Sequence, residues 1–243
     1  MSVIDLTPKG CTTCPIRHRA ICSNCTDSEL VQLDRIKYYK TYAPGASVVV
    51  TGDKMAFVAS VVSGVASLSR SMADGRMQMV GLLLPSDFIG RPGREEASFD
   101  VTAVSELTLC HFHRQPFEDV TRTTPHVQER LVEIALDELD AAREWMLLLG
   151  RKTAREKIAS FLVICARRLG QKQEGGAMTM DLPLTRDAMA DYLGLTIETV
   201  SRQMAALKRD GVLVLQGSRH VTVPDLERLF DEAGEDGDGA ALT

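Results

Sequence analysis

The longest regular rhythm of apolar residues in the chain runs from about Thr124 to Gly150. Within it, Val132, Ala135, Leu139, Ala142, Met146 and Leu149 recur at alternating intervals of three and four. That spacing puts all six on one stripe of a helix and matches a helix packed along its own symmetry mate. Leu131, Ile134, Trp145 and Leu148 lie beside the stripe and are expected to hold the helix to the domain before it. Pro125 suits a first turn and Gly150 a stop. Three heptads are short for a coiled coil, so a buried amphipathic helix in a monomer is the alternative.

On either side the period changes. From about Ile36 to His113 short alternating runs, such as Ser47–Val50, Phe57–Val62, Val65–Arg70, Met77–Leu84 and Val101–Ala103, are divided by turn signals. Those signals are Pro44-Gly45, Gly52-Asp53, Ser63-Gly64, Asp74-Gly75 and Pro85-Ser86. Strands at ~8–12-residue spacing predict a sandwich or jelly roll, with Leu107 to Phe112 as its last strand.

Beyond Gly150, Thr153 to Leu169 predicts an amphipathic helix with Ile158, Phe161, Leu162 and Cys165 toward a core, and Gln171 to Ala177 a polar loop. Leu184 to Arg202 then reads as two short helices across a turn. Thr185 and Thr196 are placed as N-caps. Ala190 is small where two helices must meet, Gly194 supplies the turn and Val200 packs the second helix back. Offsets of four and six fit a helix-turn-helix, with an ordinary helical hairpin as the alternative. The second helix, about Ile197 to Arg209, presents Glu198, Ser201 and Arg202 on one face, with Thr199 beside them. Arginine can clamp the O6 and N7 of guanine, and glutamate can accept from the N4 of cytosine. Val212–Leu215, Gly217 and His220–Val223 predict a small β wing. Lys208, Arg209 and Arg219 are candidates for phosphate contact.

The net charge of −5 argues against nucleic-acid binding, but its distribution reverses the argument. Arg151 to Pro224 holds twelve Lys/Arg against seven Asp/Glu, and seven acidic residues follow from Asp225 with a single arginine. Gly234 to Thr243, rich in Gly, Asp and Ala, is expected to be disordered. There is neither a secretory signal nor an apolar run of the ~18 residues that a membrane span needs, which implies a soluble, cytoplasmic chain. No acid/base pair, nucleophile constellation or phosphate loop suggests an enzyme.

Four of the six cysteines crowd the N-terminus as Cys11-Thr-Thr-Cys14 and Cys22-Ser-Asn-Cys25. In a reducing compartment such pairs point to a metal centre rather than disulfides. Thiolates suit zinc or iron–sulfur clusters, and the seven residues between the pairs leave both open. Cys110 alone reads as a small core hydrophobe, His18 as a solvated loop residue and Cys165 as packing.

The glycine-marked turns followed by a long helix resemble the β-roll of the bacterial CRP/FNR transcription regulators, and the likeness runs from about Cys11 to Val223. It implies an α+β fold: a cyclic-nucleotide-binding-like β-roll (jelly roll), a long dimerisation helix and a winged helix-turn-helix. The boundaries expected are 1–29 for a cysteine-rich segment, 30–123 for the β-roll, 124–150 for the helix, 151–225 for the DNA reader and 226–243 for an acidic tail. Nucleotide-binding members carry Gly-Glu and Arg-Ser or Arg-Ala elements. Here the corresponding stretches read Gly90-Arg91-Pro92-Gly93 and Ala97-Ser98-Phe99-Asp100, so no cyclic nucleotide is expected and Arg91 and Arg94 read as solvated.

The cysteines resemble the oxygen-responsive FNR branch, one subgroup of which uses C-x2-C-x7-C plus a β-roll cysteine. By that likeness Cys11, Cys14, Cys22 and Cys110 would hold a [4Fe–4S] cluster, with Cys25 as an alternative to Cys22. The Glu198-x-x-Ser201-Arg202 signature is also that branch's, where it reads the palindrome TTGAT-N4-ATCAA. Arg202 would take the guanine, Glu198 the cytosine and Ser201 a thymine. The resemblance further implies a homodimer on double-stranded DNA and a partner in RNA polymerase, the latter through a surface near Gly81–Asp87. Two rivals remain: a haem or nitric-oxide sensor of the same superfamily, and a zinc-stabilised binding module without gas sensing.

Overall fold

The computed structural model describes residues 10–234, and these form two compact units that divide at Leu136/Asp137. In the first, a 3-10 turn at Cys11–Thr13 opens the cysteine segment. Helix α1 (Asp27–Ile36) follows Cys25 directly. Thr26 caps it, and Glu29 returns the bond to the Thr26 backbone, closing a capping box. This helix is absent from the sequence expectation, and it carries the 29/30 boundary in its interior. Strands β1 (Lys37–Tyr42), β2 (Ser47–Val49), β3 (Phe57–Ser63), β4 (Ala66–Ser71), β5 (Met77–Leu83), β6 (Phe88–Ile89), β7 (Asp100–Ala103) and β8 (Leu107–His113) come next. Helix α2 (Arg114–Thr123), also unforeseen, leads into α3 (Pro125–Arg151).

The eight strands make two four-stranded antiparallel sheets, in the orders β1-β8-β3-β6 and β2-β7-β4-β5. That is a jelly roll. Tyr42, Val61, Ala66, Leu83, Leu107 and Leu109 are among the residues filling its interior. Strand β8 is buried on both faces: Leu107 and Leu109 enter the roll, whereas Cys110 and Phe112 join a second apolar cluster. That cluster gathers Ile16, Ala20, Ile21, Leu30, Leu33, Phe117 and Val127 around the cysteines. The cysteine segment is therefore part of a core.

The second unit takes the C-terminal part of α3, then α4 (Ala154–Leu169), β9 (Gln171–Lys172), β10 (Met178–Asp181), α5 (Arg186–Leu193), α6 (Ile197–Arg209), β11 (Val214–Gln216), β12 (His220–Val223) and α7 (Leu226–Ala233). The wing extends to a four-stranded sheet, β11-β12-β10-β9. Helix α7 corrects the expected acidic tail. Asp225 caps it, Leu229 and Ala233 are buried, and Phe230 lies under the Arg167 guanidinium. Glu227 and Asp231 occupy the solvent side of an amphipathic helix and Glu232 turns in to pair with Arg155, so a charge count alone misreads it. The disorder expected beyond Gly234 falls outside the described residues.

Trp145 and Leu148 also need correcting. Leu131 and Ile134 do pack on the cluster of the first unit. Trp145, however, stacks on Tyr192 of α5 with ring centroids 4.2 Å apart, and Leu148 is buried within the second unit. No helix among the described residues is long and apolar enough to cross a membrane.

Candidate metal centre and nucleic-acid interface

Cys11, Cys22, Cys25 and Cys110 are buried in one apolar cluster, and Cys14 is partly buried against it. Cys110 sits mid-strand, opposite Tyr39 of β1 and Ser60 of β3. The fold thus brings a β-roll thiol to an N-terminal segment about a hundred residues earlier in sequence. Burial pushes the Cys11 thiol up to about 12, and the Asp34 carboxylate that it meets adds to the effect. Burial likewise raises Cys110, and the neighbouring thiols of Cys11, Cys14 and Cys22 reinforce it. Cys25 is raised to about 12 chiefly by burial, and the neighbouring Cys22 thiol adds to the effect. All five cysteines thus lie in or against one apolar cluster, Cys25 among them.

The surroundings suit a thiolate-held group. The Tyr39 hydroxyl is buried without a hydrogen-bond partner. Burial raises its pKa, and Cys110, Cys14 and Cys11 act on it next, so an unused donor stands among the thiols. Lys37 is nearly buried beside Cys11 and Cys110. Its ammonium pairs with Asp34 at 2.8 Å, and Asp34 accepts the Cys11 backbone N–H at 3.1 Å. Among the described residues no three His, Cys, Asp or Glu side chains converge closely enough to hold an ion. The donors share a pocket without closing on one point.

In the nucleotide-like region Asp100 has a structural task, accepting the Thr51 N–H at 2.7 Å. Arg91 and Arg94 are exposed, and so is His18. Cys165 is fully buried packing.

The reader forms where the sequence places it. Thr185 caps α5 and Thr196 caps α6, each accepting the N–H three residues on at 3.2 Å. Gly194 takes the left-handed conformation at φ 62°, which allows the tight turn between them. Ala190 and Val200 are buried at the contact of the two helices. On α6, Glu198, Ser201 and Arg202 are exposed together, with Thr199 half-buried. Its own backbone N–H and the Thr196 hydroxyl hold the Glu198 carboxyl below the usual range, so it is an acceptor. Lys208, Arg209 and Arg219 are exposed, and Arg209 lies 3.8 Å from Asp210. The six stripe residues of α3, Val132, Ala135, Leu139, Ala142, Met146 and Leu149, are all exposed. Leu136 and Leu147 join them, at 56% and 51% exposure.

A jelly roll, a long helix with a bare apolar stripe and a winged helix-turn-helix define a DNA-binding regulator of the Crp class. The cyclic nucleotide-binding domain model matches residues 39–124, and the Crp-like helix-turn-helix domain model matches 156–231. The chain is 63% identical to the transcriptional activator protein FnrL of Cereibacter sphaeroides over 94% of both chains. It is 26% identical to the fumarate and nitrate reduction regulatory protein of Escherichia coli, covering 92% of this chain and 90% of that one. The solved structure of FixK2 from Bradyrhizobium japonicum superposes with a TM-score of 0.73 at 31% identity, over 81% of this chain and 96% of that one. The chain belongs to the CRP/FNR family of transcription regulators. It is a DNA-binding regulator and not an enzyme.

Proposed function

We propose that the chain is a homodimeric, oxygen-responsive regulator acting in the cytoplasm. Cys11, Cys14, Cys22 and Cys110 would hold a [4Fe–4S] cluster, and α6 would read a TTGAT-N4-ATCAA-like palindrome. The observation that supports the reading is the burial of a β-roll thiol, Cys110, in the same apolar cluster as the N-terminal cysteines, beside the unpartnered Tyr39 hydroxyl. When bound, such a cluster supplies an oxygen-labile group held by thiolates. The chain's residues do the rest. The four thiols give up their protons to bind, Tyr39 offers a donor to a sulfur acceptor, and Lys37 offsets negative charge at the site. The exposed α3 stripe pairs two copies, which places two α6 helices on half-sites one helical turn apart. There Arg202 meets guanine, Glu198 cytosine and Ser201 thymine, while Lys208, Arg209 and Arg219 take phosphates and Thr196 and Thr199 fix the start of the helix. As an activator it would also meet RNA polymerase.

Anaerobic purification tests this. Iron and acid-labile sulfide in equal amounts, with operator binding lost on exposure to air, is the expected result. A Soret band, or zinc with no colour, would select the haem or the zinc alternative instead.

A further inference from the structure

The segment that carries the N-terminal cysteines is tied to the first turns of α3 at two points. The Arg130 Nη2 donates to the Arg19 carbonyl at 2.8 Å, midway between Cys14 and Cys22. One turn earlier on the same helix face, the His126 Nδ1 lies 2.9 and 3.0 Å from the two carboxylate oxygens of Glu29. Glu29 also accepts the Thr26 N–H at 2.7 Å and so fixes the residue after Cys25. Arg17 donates to the Cys25 carbonyl at 3.1 Å, which ties the middle of the segment to its end. Beneath these polar contacts, Val127, Leu131 and Ile134 pack into the cluster that holds Ile16, Ala20 and Ile21. The other side of the same turns bears Val132 and Leu136, both exposed.

We infer that Arg130 and His126 form a two-point strap through which the arrangement of the cysteine segment sets the position of the α3 turns that bear the pairing stripe. The inference rests on the proposed metal binding by those cysteines. Linkage is then reciprocal: loading the cysteines favours pairing, and pairing favours loading. Arg130 is the more telling of the two. Its side chain is only 16% exposed, its Nε is buried without a partner, and Arg19 and Glu133 hold the other nitrogens. A shift of the Arg19 carbonyl therefore acts on a guanidinium that is already confined.

The test compares full-length wild type with Arg130→Met, which keeps the apolar stem and removes the donors, and with Arg130→Lys, which keeps one. Each is prepared anaerobically with iron and sulfide and again without them. Iron per chain and the dimer dissociation constant by sedimentation are read for both forms. For wild type the loaded form should dimerise more tightly by about 5–150-fold, the usual range of coupling. Arg130→Met should load the same iron while that ratio falls toward one, and Arg130→Lys should recover part of it. A wild-type ratio retained by Arg130→Met overturns the strap. A wild type that takes up no iron overturns the metal reading itself, and the strap's role with it.

Discussion

Arg155 grips Glu232 with two parallel bonds, Nε and Nη2 donating to the two carboxylate oxygens at 2.6 and 2.7 Å. Its third nitrogen lies 2.8 Å from Asp210, at the end of the reading helix α6. One arginine at the start of α4 thus ties α7 to α6. Glu232→Gln keeps the shape and removes the charge. With both partners about a quarter exposed, the expected cost is about 1–2 kcal/mol. Urea unfolding should show a lower midpoint with unchanged slope. An unchanged midpoint would make α7 an ornament rather than a support.

Arg202→Ala is expected to abolish specific operator binding while leaving the oligomeric state unchanged, because Arg202 is exposed on α6 and packs in no core. Losing a bidentate contact to guanine costs roughly 1–3 kcal/mol per half-site. Binding to operators substituted at the guanine is the check. A variant that still discriminates like wild type removes Arg202 from the reading role.

For the cysteines, serine at Cys11, Cys14, Cys22 or Cys110 should sharply reduce anaerobic iron content. Serine at Cys25 or Cys165 should leave it near wild type, since the C-x2-C-x7-C likeness takes Cys22 as the third thiol and Cys165 is packed within the second unit. Iron lost with Cys25→Ser but kept with Cys22→Ser would reassign the third ligand.

The reader was the most legible part of the chain. Thr185, Gly194 and Thr196 act locally, as caps and a turn, so their spacing suffices to place them. Helix α1 was legible in principle, since Thr26-Asp-Ser-Glu29 is a capping-box pattern, but Leu30 and Leu33 are its only buried apolar residues and the rhythm is too brief to stand out. Leu136 escaped the stripe because a strict alternation of three and four assigns that turn to Ala135, whereas a helix of 3.6 residues per turn exposes both. Trp145 shows a different limit. An apolar residue beside a stripe announces burial but not its partner, and Tyr192 lies well downstream. The meeting of Cys110 with the N-terminal thiols is a product of tertiary structure alone. Periodicity could not supply it; only the family resemblance did.

The bridge between His126 and Glu29 implies a pH dependence. Glu29 raises the pKa of His126, chiefly by hydrogen bonding to it, and His126 lowers that of Glu29 in the same way. The histidine contribution is fully present below the ordinary value of about 6.5 and is lost as pH rises through the raised value. The glutamate contribution is present above about 4.3 and is lost as pH falls through the lowered value. Both operate together between those ordinary values. Imidazole titration by NMR should place His126 above the ordinary histidine value in wild type and near it in Glu29→Gln. An identical titration in the two proteins would mean that the bridge does not form in solution.

The last expectation concerns the protein without its metal. A switch that turns fully from dimer to monomer needs a weak pairing face, for instance a charge that meets its own copy across a two-fold. Val132, Ala135, Leu139, Ala142, Met146 and Leu149 include no charge, and Val132 and Met146 are 60% and 67% exposed in the single chain. Burying a Val, Leu or Met side chain contributes about 1.5–3 kcal/mol, and the two alanines far less. A micromolar dissociation constant corresponds to about 8 kcal/mol, which four large apolar side chains from each copy bring within reach. The flanking charges change little. Arg143 already pairs with Asp140 in the same chain at 2.9 Å, and both are exposed, so neither contributes much. The metal-free protein is therefore expected to remain dimeric at micromolar concentration. Oxygen would then act by releasing the cysteine segment and shifting the turns of α3 beneath it, weakening the pair without dissolving it. Sedimentation of metal-free and anaerobic protein side by side decides the matter, and a clean metal-free monomer at tens of micromolar would sink it.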